Sequence, residues 1–528
     1  MSQGDLAAEN ALLREQLQAV NEIGVALSAE RDLRSLLEAI LGQARRLTAA
    51  DAGSLYLVEG ERRDKLRFVL AQNDSRSVPF VEMVLDVDDP TVVGHATRTR
   101  ELIALDDVYE LPPGADFSFS TRFDELTGYR SKSMLVVPMI DHRDRVIGCL
   151  QLINRKPDAA LRLRDRAHAE EVVLPFPPAC VPLIRSLASQ SAVAIDKARL
   201  IQDLERTFEG LVYASVVAIE SRDPTTSGHS ERVARYSVEL ALALAAAPTR
   251  KFGAVRWTAE QLKELRYAAL LHDFGKVGVR EDVLVKAKKL FPWELEAVRL
   301  KFLCALRERE ARAWEEAARR ACEGVPAAGR EQWLRVVEAA IAGERGRLLG
   351  LLRAVEEANE PRVLAEGQVE RLHHLAEEAW TDEAGARRPL LEPGQVEDLS
   401  IAKGSLNREQ RLEIESHVVH TWRFLSRIPW VEGLSNLPDI AHAHHERLDG
   451  TGYPRGLKDG EIPLQSKIMA VADIYDALTA WDRPYKKALP PARALEILDA
   501  EARAGKLEPE LVEVFGRDEV WRRGGKEK

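Results

Sequence analysis

Two short motifs place histidine next to an acid or to a second histidine, at spacings that suit metal binding. LLHDFGKVG contains the adjacent pair His272 and Asp273, and HHERLDGTGYP begins with the doublet His444 and His445. Imidazole nitrogen binds divalent transition metals, and a neighbouring carboxylate can bridge to a second ion about 3.5–4 Å away. The alternative is a polar loop that happens to contain histidines. Further ligands elsewhere in the chain decide between these two hypotheses.

Histidines are concentrated after residue 220, as expected for a metal site that is spread over several helices. Outside a long charged segment, this part of the chain holds His229, His272, His417, His420, His442, His444 and His445. VADIYDALTAWDRPYK adds Asp473 and Asp476, three residues apart on one side of a predicted helix. Asp473 follows the apolar run MAVA, where an unpaired carboxylate is unfavourable. We therefore expect Asp473 to be a ligand, whereas Asp476 could instead hydrogen-bond within the helix.

The composition narrows the chemistry further. The four cysteines are widely spaced and form no CxxC pair, which disfavours a disulfide framework or a thiolate zinc site. Any metal must then be held by nitrogen and oxygen. The formal net charge of -10 disfavours nucleic acid as a partner. An anionic small ligand would need a local basic group, and Lys276, one turn after Asp273, could face a phosphate.

The length of the chain predicts several domains. Its 528 residues suffice for about two to four domains, and apolar residues make up 45% of them. No apolar run approaches the roughly 20 residues that span a bilayer, and the first residues are polar without a signal-like segment. We therefore expect a soluble cytoplasmic protein without a membrane span.

The elements that precede the histidine-rich part begin with a predicted helix over residues 1–22. Residues 23–198 then show a mixed pattern, with one predicted helix over 33–47 and another from Val181 onward. Between them lie short apolar runs rich in β-branched residues, which predict strands: 52–58, 67–72, 133–140 and 146–154. The pattern is typical of an α+β domain.

That arrangement resembles a GAF domain, a small-molecule sensor module, through SLYLV, TGYRSKSMLVVPM and GCLQLINRK. In members that bind cyclic nucleotides, an Asn-Lys pair is followed by Phe and then by Asp-Glu. Here Asn154 and Arg155 are followed by Phe176, but PPACV stands where the acidic pair would come. The resemblance thus implies either a sensor for an unknown small molecule or a domain without a ligand that serves dimerisation.

Residues 199–220 continue the helical pattern and predict a linking helix. Ile201, Leu204, Phe208 and Leu211 recur at the spacing of a helix-pairing seam. The helix either packs on its own domain or is a parallel signalling helix that joins two protomers. In the second case the chain would be a homodimer through the linking helix and the GAF-like domain.

The segment from about 299 to 397 is dense in glutamate, arginine, alanine and leucine and shows no strand pattern. It predicts long charged helices that face solvent. His373 and His374 lie here on a charged helix without a glycine turn. We expect this second histidine doublet to lie on a solvent-exposed face of its helix.

Beyond residue 210, the motifs HDFGK, HHERLDGTGYP, EIPLQSKIMAVADIYDAL and RPYK together resemble the HD-GYP family of cyclic di-GMP phosphodiesterases, a branch of the HD metal phosphohydrolases. The resemblance implies an all-α domain over residues 221–515, followed by a polar tail over 516–528. It implies two divalent metal ions, iron or manganese, with Asp273 as the bridging carboxylate. Carried over residue by residue, the metal ligands are His229, His272, Asp273, His417, His444, His445 and Asp473.

Two departures from the family pattern bear on this ligand set. Members with three metals carry a glutamate four residues before the first histidine, where this chain has Thr225, so we expect two metals. Lys301 stands where the next histidine ligand should follow HDFGK, but the pattern recurs in LSIAKGSLNREQRLEIESH and ends on a histidine. We therefore predict a charged helical insertion over about 287–403, with His417 as the ligand and His420 as the alternative. The insertion could be a lid, a dimer contact or a docking arm.

The resemblance implies hydrolysis of cyclic di-GMP to linear pGpG, with further cleavage giving GMP. Asp273 and Lys276 would be catalytic, and Lys276, Gly452, Tyr453, Arg483 and Lys486 would bind substrate. Two alternatives remain open. The domain could be a weakly catalytic cyclic di-GMP receptor that signals through protein contacts, or it could hydrolyse another nucleotide.

Overall fold

The computed structural model describes most of the chain. The described residues are Gly24, Glu30, and the ranges 32–60, 62–76, 82–222, 227–324, 329–363, 367–382, 384–481 and 488–523. The predicted helix over 1–22 lies outside them. The chain divides into two compact units, Met1–Phe208 and Glu209–Lys528. Among the described residues, none of the helices combines the length and the apolar character that crossing a bilayer demands.

The first unit is built on a six-stranded antiparallel sheet with strand order β3-β2-β1-β6-β5-β4. The strands are β1 (Ala50–Glu59), β2 (Lys65–Asn73), β3 (Met83–Asp86), β4 (Ile103–Leu105), β5 (Met134–Ile140) and β6 (Val146–Arg155). Its helices are α1 (Leu33–Thr48), α2 (Val92–Thr99), α3 (Arg122–Thr127) and α4 (Arg166–Val172). The α+β fold class is therefore confirmed for this unit.

Apolar side chains cover both faces of this sheet. Leu36 and Ile40 of α1 pack with Leu55 and Leu150 of the sheet in one core, while Val93 of α2 belongs to a second core. The four strands predicted from the sequence are present. The sequence did not predict β3 and β4, because β3 is largely exposed and β4 has only three residues, so neither carries a long apolar run.

The second unit is mainly helical. A 40-residue helix, α5 (Val181–Glu220), crosses the boundary between the two units and confirms the continuous helical pattern. The helices that follow are α6 (His229–Ala246), α7 (Ala259–Leu271), α8 (Glu281–Leu284), α9 (Pro292–Cys322), α10 (Arg330–Ala358) and α11 (Gln368–Ala376). After a short hairpin come α12 (Pro393–Leu399), α13 (Arg408–Glu415), α14 (His417–Leu425), α15 (Leu437–His442), α16 (Leu464–Thr479), α17 (Pro491–Arg503) and α18 (Pro509–Arg517).

The apolar core of this unit extends further towards the C-terminus than we predicted. Val520 is fully buried, and the ring of Trp521 lies 5.5 Å from that of Tyr475 and 5.6 Å from that of Phe515. The predicted polar tail over 516–528 is therefore wrong for its first residues. The apolar Val520 and Trp521 extend the core beyond residue 515.

The charged segment between α8 and α13 has a small apolar core of its own. Val298 and Phe302 of α9 meet Leu348 and Val355 of α10, and Leu390 and Leu399 close the same core. The segment also contains two short strands, β7 (Ala379–Thr381) and β8 (Arg387–Pro389), so the expectation of no strands is wrong. Three-residue strands are too short to produce an alternating pattern in the sequence.

Candidate metal centre

Five separate segments of the second unit deliver the candidate ligands. His229 is the first residue of α6, and His272 and Asp273 end α7 and begin the 3₁₀ turn that follows it. The remaining ligands come from the start of α14, the segment after α15, and α16: His417, His444, His445 and Asp473. Thr258 and Gln261 form a capping box that stabilises the start of α7, the helix that ends at the His272–Asp273 pair.

The seven residues form a continuous cluster of nitrogen and oxygen atoms. Three overlapping groups have ligand atoms that all lie within 4.8 Å of one another: His229 with His272 and Asp473, His272 with Asp273 and His444, and His417 with His444 and His445. All seven side chains except that of His445 are buried. His272 and His444 each belong to two groups, so the cluster is large enough for more than one ion.

The two carboxylates sit between the imidazoles. Asp273 Oδ1 lies 3.3 Å from His417 Nε2, and Asp273 Oδ2 lies 3.5 Å from His272 Nε2 and 3.8 Å from His229 Nε2. Asp473 Oδ1 lies 3.3 Å from His229 Nε2, and its Oδ2 lies 3.8 Å from His445 Nδ1. Asp273 thus contacts histidines from three different segments.

Hydrogen bonds orient four of the imidazoles with Nε2 towards the cluster. His272 Nδ1 donates to the carbonyl of Ala269 and His444 Nδ1 to that of Ala441, both at 2.6 Å. His417 and His229 are held in the same way, by the carbonyl of Ile414 and by the carboxylate of Asp476. A backbone carbonyl can only accept, so Nε2 of His272, His417 and His444 is left with a lone pair for a metal.

The buried Nε2 atom of His444 has no hydrogen-bond partner within the described part of the chain. Such an atom is unfavourable in a protein interior unless a metal or water completes it. Together with the nitrogen and oxygen donors around it, this atom fits a centre for divalent ions.

Electrostatics favour neutral imidazoles beside ionised carboxylates. Burial lowers the pKa of His272, holds that of His444 well below its usual range, and lowers that of His445 to about 3. Burial opposes ionisation of Asp273, but Lys276 and the neighbouring histidines hold its pKa well below the usual value. Metal binding needs these protonation states.

His229 differs electrostatically from the other ligands. Burial disfavours its charged form, but the hydrogen bonds with Asp473 and Asp476 outweigh this and raise the pKa of His229 to about 9. A metal ion would replace that proton as the positive charge between the two carboxylates.

The loop that contains Gly452, Tyr453 and Pro454, called the GYP loop below, is held by the buried side chain of Glu446. Its Oε1 accepts the backbone N–H of Arg455 and its Oε2 accepts that of Leu457, both at 2.8 Å. Gly452 allows the loop to pack closely, because a β-carbon there would lie 2.4 Å from the backbone nitrogen of Arg447. Glu446 thus holds the loop through both of its carboxylate oxygens.

Three family models match the chain. A GAF domain model matches residues 32–195, and two HD domain models match residues 226–360 and 390–511. The chain combines a GAF domain with an HD domain. The resemblance to a GAF domain followed by an HD domain, predicted from the sequence motifs, is thereby confirmed.

Curated relatives of the HD domain are named as cyclic dinucleotide phosphodiesterases. A 3'3'-cGAMP-specific phosphodiesterase 3 from Vibrio cholerae serotype O1 is 35% identical over 24% of this chain and 26% of its own length. A cyclic di-GMP phosphodiesterase from Thermotoga maritima is 38% identical over 26% of this chain and 38% of its own length. The cyclic di-GMP phosphodiesterase response regulator RpfG from Xanthomonas campestris pv. campestris is 47% identical over 15% of this chain and 20% of its own length. The chain therefore spans less than two fifths of the length of each of these relatives.

The HD domain brings together all seven predicted ligands, and Lys276 lies beside them with its Nζ 2.8 Å from Asp273 Oδ2. The ring of Tyr453 lies 4.8 Å from that of His445. His420 belongs to none of the ligand groups and instead lies against Gly278. Three other predicted positions fall outside the described residues: Thr225, Arg483 and Lys486. In the charged segment, His373 and His374 are exposed, as expected.

Two further residues, Arg232 and Thr421, support the candidate ligands and were not predicted from the sequence. Arg232, one turn after His229, donates through Nε to Asp476 Oδ1 at 2.6 Å and so fixes the carboxylate that orients His229. The hydroxyl of Thr421 donates to the carbonyl of His272 at 2.9 Å and accepts the N–H of Gly275 at 2.8 Å. In the sequence, the i, i+3 spacing of His229 and Arg232 was the only sign that Arg232 could lie near the site. No sequence pattern pointed to Thr421.

Proposed function

We propose that this protein is a metal-dependent phosphodiesterase that hydrolyses cyclic di-GMP to linear pGpG, with further cleavage to GMP. The observation that carries the proposal is the convergence of five histidines and two aspartates from five segments on one buried cluster. The HD domain match and the names of its relatives supply the reaction class.

Two divalent ions, iron or manganese, would be held by the seven residues of the cluster, with Asp273 between them. Bound divalent ions activate water at neutral pH and stabilise negative charge on phosphate oxygens. The chain contributes an enclosed site in which Nε2 of His272, His417 and His444 is already oriented.

Residues of the chain would also bind and neutralise the phosphodiester. Lys276, whose side chain is 15% exposed, can turn its ammonium from Asp273 towards a phosphate oxygen. Burial raises the pKa of Tyr453, so its hydroxyl stays protonated and can donate to the nucleotide. Arg483 and Lys486 would complete the basic surface, since arginine binds phosphate through two parallel N–H groups.

A mixed cyclic dinucleotide is the second candidate substrate. The relative named as a 3'3'-cGAMP-specific phosphodiesterase is nearly as similar to this chain as the cyclic di-GMP phosphodiesterase from Thermotoga maritima. Both substrates present the same phosphodiester to the cluster, and only one base differs between them.

We further propose that the GAF domain regulates the HD domain and that the protein is a homodimer. Leu204 and Leu211 of α5 are each 62% exposed, which supports a second helix as their partner. A small molecule bound to the GAF domain would then act on the HD domain through α5.

The test is hydrolysis by the full chain loaded with Mn²⁺ or Fe²⁺ under anaerobic conditions, with cyclic di-GMP and 3'3'-cGAMP as parallel substrates. We expect pGpG from cyclic di-GMP, and loss of turnover in the His272→Ala, Asp273→Ala double variant. Tight binding of cyclic di-GMP without turnover would instead indicate a receptor. Turnover of 3'3'-cGAMP alone would overturn the substrate assignment.

A further inference from the structure

The last turn of α5 caps the helix that carries His229. Glu220 Oε2 accepts the backbone N–H of Gly228 at 2.8 Å, and its Oε1 accepts that of Ser230 at 3.4 Å. Gly228 is the N-cap residue of α6 and has no side chain to satisfy the free N–H groups at that end. Glu220 supplies this cap from a different helix, and its negative charge suits a helix N-terminus.

Two residues further on, Arg222 binds the other ligand-bearing segment. Its Nη1 donates to the carbonyl of Val277 at 2.5 Å, and its Nη2 donates to that of Val279 at 3.3 Å. These carbonyls belong to the 3₁₀ turn Phe274–Gly278 and to the residue after it. The same turn begins directly after Asp273 and contains Lys276. One guanidinium therefore holds the turn through two carbonyl groups at once.

The portion of α5 from Glu209 onward is anchored along the HD domain. Val212, Val216 and Ile219 are buried at helical spacing. Glu209 Oε1 accepts the hydroxyl of Tyr267 at 3.1 Å, and Arg266 donates to the hydroxyl of Tyr213 at 2.7 Å. Both partners lie on α7, the helix that ends at the His272–Asp273 pair.

We propose that Glu220 and Arg222 are positioning residues of the metal centre, and that the end of α5 sets the placement of His229 relative to Asp273. The inference rests on the proposed function. The segment of His229 donates N–H groups to Glu220, in the last turn of α5, and the segment of Asp273 accepts from Arg222, two residues beyond that helix. The facing atoms of His229 and Asp273 are 3.8 Å apart. A displacement or rotation of the end of α5 therefore moves one ligand against the other, so α5 regulates the centre through these two side chains.

The test uses the full chain with Glu220→Gln and Arg222→Lys, compared with Tyr213→Phe as the matched control. Glutamine keeps the shape of Glu220 but loses the charge and one acceptor, and lysine keeps the charge of Arg222 but replaces its two fixed donor nitrogens with a single ammonium. Tyr213→Phe removes an anchoring contact of the same helix to Arg266 in the middle of α7, away from the start of α6 and from the turn after Asp273. For each protein we would measure Mn²⁺ affinity by titration, kcat and KM for cyclic di-GMP, and the Tm of the metal-free form.

We expect Glu220→Gln and Arg222→Lys to weaken Mn²⁺ binding by about 10- to 100-fold, as substitutions behind metal ligands do, and to lower kcat more than they raise KM. The Tm of their metal-free forms should match that of Tyr213→Phe, which keeps wild-type Mn²⁺ affinity. The inference is overturned if Mn²⁺ affinity is unchanged, or if its loss follows a loss of Tm. If the wild-type protein binds Mn²⁺ but hydrolyses no cyclic dinucleotide, the proposed function is refuted. In that case the Mn²⁺ titrations of the variants still show whether Glu220 and Arg222 position the ligands.

Discussion

The backbone of Gly275 lies directly against the carbonyl of His417, so that a β-carbon on Gly275 would lie 1.9 Å from that oxygen. The same β-carbon would lie 2.5 Å from the backbone nitrogen of Thr421. The turn that follows the His272–Asp273 pair and the helix that begins at His417 can approach this closely only because residue 275 is glycine. Two ligand-bearing segments far apart in sequence are thereby fixed at one distance.

Gly275→Ala should disrupt the metal centre. Because the clash is with backbone atoms, the two segments must separate, and we expect a loss of about 1–3 kcal/mol or more in unfolding free energy, typical of overpacking. Tight Mn²⁺ binding should be lost as well. Denaturant unfolding and metal titration measure these effects. Gly278→Ala is the control, since its β-carbon would meet the His420 ring at 3.0 Å, and a side chain can move. Equal effects of the two substitutions would contradict the prediction.

Glu446→Gln should loosen the GYP loop. Both carboxylate oxygens of Glu446 accept backbone N–H groups, and glutamine would turn an NH₂ donor towards one of them. Leaving a buried donor unpaired costs about 1–3 kcal/mol, so we expect that loss in unfolding free energy and a higher KM for the substrate. Asp449→Asn is the matched control, because the Asp449 carboxylate also accepts a backbone N–H, from Thr451 at 2.9 Å, but it is exposed. The same loss in both variants would show that burial of Glu446 is unimportant.

The seven candidate ligands could be named from the sequence because the motifs around them resemble those of the HD-GYP family, which gives each position a counterpart. His417 was harder to choose, since His420 is one turn away on the same helix. The structure separates them, because Nε2 of His417 lies 3.3 Å from Asp273 Oδ1 whereas His420 lies against Gly278. The choice depends on how α14 packs against the turn after Asp273, which no single motif contains.

The residues that orient the candidate ligands could not be identified from sequence motifs. Arg232 and Glu220 act through hydrogen bonds to Asp476 and to the start of α6, and those partners are set by tertiary packing. The core of the charged segment was missed for a similar reason. Helix α9 carries apolar residues on an exposed face as well, including Trp293 and Leu300, so its sequence shows no single apolar stripe.

The ion-pair network of the charged segment should lose stability in acid. The hydrogen bond from Arg347 lowers the pKa of Glu344, burial raises it, and Arg309 lowers it again, so that the two arginines outweigh burial and bring the pKa from an ordinary value of 4.5 to about 2. A folded-state pKa below the unfolded one stabilises the protein above pH 4.5, and this stabilisation is lost as the pH falls from 4.5 through about 2. Glu344 is about one third exposed, so we expect a contribution on the order of 1 kcal/mol after screening by solvent.

Glu344→Gln should therefore lower the unfolding free energy near pH 6, and this effect should shrink as the pH falls towards 2, where Glu344 is about half protonated in the folded protein, as measured by denaturant unfolding across this range. Glu331→Gln is the control, because Glu331 forms an exposed pair with Arg335 one turn away. Surface pairs of this kind contribute about 0–1 kcal/mol. A difference between wild type and Glu344→Gln that is constant from pH 6 to pH 2 would rule out the ion pair as its cause.

The charged segment should be removable without loss of the metal centre. Its two ends meet at Lys289, whose Nζ donates to the carbonyl of Leu399 at 2.9 Å, so a linker of about six residues can replace 290–398. The apolar core of the segment contains no residue of α6, α7, α14 or α16 among the described positions, and the ligands lie on or beside those helices. We expect the shortened chain to bind Mn²⁺ within a factor of about two of wild type, less than 0.5 kcal/mol in binding free energy. The His272→Ala, Asp273→Ala variant of the same shortened chain gives the baseline without a centre. Binding reduced to that baseline would mean that the segment completes the site, and that the predicted insertion over 287–403 is instead part of the catalytic domain.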